Sequence, residues 1–133
     1  SIIASSTVIA GTACQQTIPR PDLYQAASQK TLEVHNKLKR LNPQVVLIAR
    51  VGSDLGKYGL HYTHMGFAVK DYPGKPRRWT IVHLLNNCGT AQSTIYKQGL
   101  FNFFMDNLYS LDYQITVPDP ALQSRLYQTL TST

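Results

Sequence analysis

Two alternating stretches flank a single turn, and together they commit this chain to an antiparallel hairpin. From His64 to Lys70, Met65, Phe67 and Val69 alternate with His64, Gly66 and Ala68. From Arg78 to Leu85, Trp79, Ile81, His83 and Leu85 alternate with Thr80, Val82 and Leu84. A period of two is the signature of a strand whose faces see different surroundings. The segment between them, Asp71-Tyr72-Pro73-Gly74-Lys75-Pro76-Arg77, is made of turn formers. If Lys70 pairs near Arg77 or Arg78, paired residue numbers sum to 147 or 148. At a sum of 147, His64 lies directly across from His83, with Cβ atoms roughly 5 Å apart on one face. Gly66 and Ala68 share that face and leave space above it. A slip of one residue would send the two histidines to opposite faces.

The rest of the chain supplies helices and further strands. Asp22 caps a helix whose stripe runs Leu23, Ala27, Val34, Leu38 and Leu41. Asn42-Pro43 stops it. Val45 to Ala49 is a short β-branched run suited to a strand buried on both faces. Asn86 to Thr90 reads as a loop entering a helix with Leu100, Phe103 and Phe104 on its buried side and Gly99 inside it. Tyr113, Ile115 and Val117 alternate as another strand. Asp119-Pro120 starts a final helix with a Leu122, Leu126, Leu130 stripe. The expected order is helix, three strands, helix, strand, helix. The fold class is α+β, a small antiparallel sheet around the histidine-bearing hairpin with packed helices.

With 133 residues there is one core to build. Residues 14–133 are expected to form it, and residues 1–13 read as a signal-peptide remnant or an N-terminal arm. Small and apolar residues dominate Ser1 to Ala10, and Val8 and Ala10 suit cleavage before Gly11. Export to the periplasm or outside the cell is the expectation. No run reaches the length of a membrane span. The net charge of +6 comes from scattered Lys and Arg. Lys37-Leu38-Lys39-Arg40 and Lys75-Pro76-Arg77-Arg78 are the densest clusters. Neither is interleaved with aromatics, which argues against nucleic acid and for a solvated surface or a basic module for other polyanions. No third and fourth ligand accompany the histidines at a metal-binding spacing, and no cofactor motif is present.

Cys14 and Cys88 are the only cysteines. In an exported domain they would most simply form one disulfide, closing a loop of about 74 residues. Loop-closure entropy would make that bridge worth roughly 4 kcal/mol. The competing role for Cys88 is chemical. Asn87-Cys88-Gly89-Thr90 at a helix entrance would lower a thiol pKa. Two adjacent imidazoles could serve such a thiol, one as base and one as its orienter. They could equally be half-buried histidines bonded to backbone.

Gly52-Ser53-Asp54-Leu55, Thr63-His64-Met65-Gly66-Phe67 and Thr80-Ile81-Val82-His83-Leu84 resemble the permuted NlpC-type papain-like proteins and the lecithin-retinol acyltransferase-like enzymes. The stretch Tyr58 to Leu100 also resembles an exported proteobacterial family known only as a domain of unknown function. The papain-like resemblance implies a papain-like half or whole, with His64 as general base, His83 as orienting residue and Asp54 in the loop before the base strand. In permuted relatives the cysteine starts a helix well downstream of the second histidine, so Cys88 matches by type and not by position.

The sequence therefore supports two function classes. The first is a non-catalytic or truncated envelope domain that binds peptide, lipid or an envelope protein beside the histidines. The second is a cysteine hydrolase, amidase or acyltransferase acting on cell-wall peptide through Cys88, His64 and His83.

Overall fold

The computed structural model describes residues 21–87, 89–106 and 108–132. Cys14, Cys88 and the expected signal remnant lie outside them, and so does the expected disulfide. Helix α1, Pro21–Leu41, buries Ala27, Val34 and Leu38, three members of the expected stripe, while Leu41 is exposed. The helix ends where Asn42 turns to a φ of 50° and returns its N–H to the Leu38 carbonyl. Strand β1, Val45–Val51, follows and is buried on both faces, as a β-branched run should be.

Strands β2, His64–Tyr72, and β3, Lys75–Asn86, form the hairpin. Its register differs from the expected one in an informative way. Tyr72 pairs with Lys75, a sum of 147, but Lys70 pairs with Trp79, a sum of 149. A bulge between those pairs inserts two more residues on β3 than on β2. Asp71 and Arg77 make it by adopting φ of 52° and 60°. An even shift preserves which face each residue takes, so the two histidines still share a face. They are diagonal rather than opposed, because His83 now lies across from Gly66 by continuation of the Phe67 to Val82 register.

The expected entry into a long helix after Asn86 is wrong. Ser93–Gly99 is a strand, β4, paired with β3, and the helix α2 is confined to Leu100–Phe104. Gly99 is its extended N-terminal residue, not an interior weak point. Strand β5, Ser110–Thr116, crosses to the far side and pairs with β1. The sheet order is β4-β3-β2-β1-β5, antiparallel at every junction.

Helices α1 and α2 cover one face, over Val46, Ile48, Ala68, Trp79 and Ile81. Helix α3, Pro120–Thr131, covers part of the other, where Leu126, Tyr127 and Leu130 meet Val45, Val69, Tyr72 and Val82. Asp119 caps it by accepting the Leu122 N–H at 2.9 Å, as expected. Leu122 itself is exposed, and the buried residue of that turn is Gln123. Gln123 Oε1 accepts the N–H groups of Gln44 at 2.8 Å and Val45 at 3.2 Å, and its Nε2 donates to the Pro118 carbonyl at 2.7 Å. A polar side chain takes the buried place because three backbone groups at the start of β1 and the end of β5 need partners there.

Candidate functional site

The face under α1 and α2 carries a polar row at one end. Arg50 on β1 is paired with His64 on β2, and His83 on β3 is diagonal to His64. Their exposures are 2%, 3% and 4%. His64 Nε2 and His83 Nδ1 are 2.7 Å apart, a direct hydrogen bond between imidazoles. Gly66 makes this possible. A Cβ there would fall 2.8 Å from the His83 Cβ and 3.1 Å from the Val82 carbonyl oxygen. Only a hydrogen at that position lets His83 lie against β2. Gly66→Ala is expected to force β2 and β3 apart, cost about 2–3 kcal/mol in urea unfolding and open the imidazole pair. An unchanged unfolding midpoint would contradict this account of the packing.

Phe103 of α2 forms the lid. Its ring centroid is 5.6 Å from that of His83, edge-on, and 6.2 Å from that of His64. The Arg50 guanidinium lies 4.5 Å from the centre of the same ring. It donates to the Phe103 carbonyl at 2.6 Å and to Asp106 Oδ2 at 2.7 Å. Arg50 thus ties the short helix and the residues after it to the sheet, above the histidines.

Burial, then the nearby Arg50 charge, then His83 push the His64 pKa down to about 3. Burial and Arg50 likewise push His83 down to about 4, against small opposing effects of Gln98 and Asp106. Both rings are neutral at pH 7. The bond between them uses one nitrogen of each. His64 Nδ1 and His83 Nε2 have no hydrogen-bond partner among the described residues. Gln98 on β4 works weakly against the lowering of the His83 pKa. One of the two bonded nitrogens carries the shared proton; where it is His64 Nε2, donating to His83 Nδ1, the His64 Nδ1 lone pair is free to accept a proton.

The structure brings together His64 and His83 among the residues singled out from sequence. Asp54 is exposed, and its carboxylate accepts the Gly56 N–H at 3.1 Å at the start of the 3-10 turn Gly56–Tyr58. That is a loop-shaping contact, separate from the buried pair. Cys88 lies outside the described residues. His61 binds Asp112 at the surface, 3.0 Å away. Arg50, Gln98, Phe103 and Asp106 were not foreseen as site residues. The one available signal was Arg50, a lone cation ending an apolar strand. Among the described residues no cluster of His, Cys, Asp or Glu could hold a metal ion, and no helix is long and apolar enough to cross a membrane.

Residues 37–133 match a family described as an uncharacterized protein conserved in bacteria, DUF2145. No curated protein and no solved structure matches the chain.

Proposed function

We propose that this chain, which belongs to the bacterial family DUF2145, carries the base and orienting residues of a papain-type acyl-transfer site, exported and acting on cell-wall peptide. The observation behind this reading is the 2.7 Å bond between His64 Nε2 and His83 Nδ1, with His64 Nδ1 left without a hydrogen-bond partner among the described residues. A general base needs one nitrogen held and the other free, with the orienter fixing the tautomer.

Cys88 is the nucleophile of this reading. Continuing the hairpin register puts Leu85 opposite His64, three residues before Cys88. Three residues of chain reach about 10 Å at most, so the β3–β4 turn opens at the His64 end of the sheet. The Cys88 thiol proton passes to His64 Nδ1 as sulfur attacks the carbonyl carbon. The carbon–nitrogen bond breaks, and the leaving amine takes the proton back. Water, deprotonated by the same nitrogen, hydrolyses the thioester and frees the thiol.

The test is alkylation of the native protein followed by intact mass and peptide mapping. One alkyl group is expected on Cys88 without prior reduction. His64→Ala should slow this about tenfold near pH 7 and little at pH 9, where the thiol ionises unaided. A second reading rests on a different observation. Both rings are almost fully buried beneath Phe103, which suits a structural pair in a non-catalytic envelope module. That reading expects Cys14 and Cys88 to be bridged and no alkylation until reduction.

A further inference from the structure

We propose that the groove between α1 and the turn end of the β2–β3 hairpin binds a small ligand that joins a phosphate or carboxylate head to an apolar body. The groove lies apart from the histidine pair. Trp79 on its floor and His83 are four residues apart on β3, about 13 Å along the strand.

Two cavities make up the groove, of about 520 and 260 Å³, and they share His35, Arg77, Arg78 and Trp79. The larger falls in the range of ordinary ligand pockets. Its floor adds Leu32, Leu100 and Phe101 to Trp79, and Leu32 stays 61% exposed on an otherwise polar stretch of α1. The smaller adds Lys39 from the helix end. The two basic clusters that are far apart in sequence, around residues 39 and 77, therefore meet across one groove.

Among the described residues no ion pair neutralises these charges. Among the described residues the ion pairs join Lys30 to Glu33, Arg50 to Asp106 and His61 to Asp112. None involves Lys39, Arg77 or Arg78. Lys70 lines the smaller cavity and gives its ammonium to Asn42 Oδ1 at 3.0 Å. Among the described residues Asp71 is the one carboxylate in the lining, and it accepts the Arg77 backbone N–H at 2.6 Å. The same bulge holds Asp71 and Arg77 in left-handed backbone, a conformation that costs each of these residues roughly 1 kcal/mol. Three cations beside an apolar floor call for both halves of the ligand. A bare anion leaves the floor unused, and a neutral apolar molecule leaves the cations unanswered.

Trp79 is the only tryptophan in the chain, so its fluorescence reports this groove directly. The probe is octyl phosphate below its micelle concentration, titrated at low salt. A saturable change in Trp79 emission is expected. Octyltrimethylammonium and inorganic phosphate should each bind at least about tenfold more weakly. Arg78→Gln and Leu32→Glu both change exposed side chains and should fold normally by circular dichroism. Each is expected to weaken octyl phosphate about tenfold, a loss of one charge-assisted contact or of the apolar seat. Phosphatidylglycerol vesicles identify the source of the head group. Binding to vesicles as well as to octyl phosphate assigns it to a lipid, and binding to octyl phosphate alone assigns it to a soluble ligand. The proposal is overturned if octyltrimethylammonium or inorganic phosphate binds as tightly as octyl phosphate, if only vesicles bind, or if neither variant changes the affinity.

Discussion

Lowering the pH from 7 to 5 is expected to cost the fold about 4 kcal/mol, through His64 and His83 alone. In the unfolded chain both imidazoles titrate near 6.5. In the fold they titrate at about 3 and about 4. Between those limits the unfolded chain binds two protons that the native state refuses. The stabilisation from keeping these rings neutral is thus complete above the unfolded pKa and is lost as pH falls toward the folded values. Each histidine contributes a slope of about 1.4 kcal/mol per pH unit in that window. Urea unfolding at several pH values measures it. His64→Asn and His83→Asn should each flatten the slope by about one proton. A stability that does not change between pH 7 and 5 would show that the pair accepts a proton in place and is not the buried neutral dyad described above.

The second large effect concerns Asp106. Arg50 is buried, and its charge is balanced by the Asp106 carboxylate at 2.7 Å. Burial pulls the Arg50 pKa down, and Asp106 works against that pull. Removing one member of a buried pair leaves the other charged and poorly solvated. Asp106→Ala is expected to cost about 3 kcal/mol, the low end for such pairs because Asp106 is partly wet. For a chain of this size that lowers Tm by about 10 °C. The double variant Arg50→Met/Asp106→Leu should recover most of the loss, because no charge is then stranded. Equal losses in the single and double variants would mean that Arg50 acts through its bond to the Phe103 carbonyl or its packing on that ring, and not through its charge.

How much of this was visible in the sequence depends on what each residue signals locally. The α1 stripe of Ala27, Val34 and Leu38 was legible because burial repeats at the helical period. The shared face of His64 and His83 was legible because it depends only on whether the residue-number sum is odd. Their diagonal placement was not, because the bulge is built by an aspartate and an arginine where glycine would have announced it. Strand β4 was hidden for another reason. It is an edge strand with mostly exposed side chains, so burial leaves no alternation to read. Gln123 displaced the expected Leu122 because backbone N–H groups 79 and 78 residues away, at the start of β1, demanded it. No local pattern carries such a requirement. Arg50 and Asp106 meet across 56 residues of chain, a pairing set by topology.

The two-residue bulge also makes the hairpin turn a ratchet with a step of two. Inserting or deleting a pair of residues between Asp71 and Arg78 slides His83 along β2 by one same-face position and leaves it facing α2. A change of one residue would turn Trp79, Ile81 and His83 out of the helix-covered face and put Thr80, Val82 and Leu84 in their place. Length variation in this turn is therefore expected to be filtered by parity before it is filtered by size. A family that keeps its histidines facing each other should keep the number of residues between them odd or even as a class.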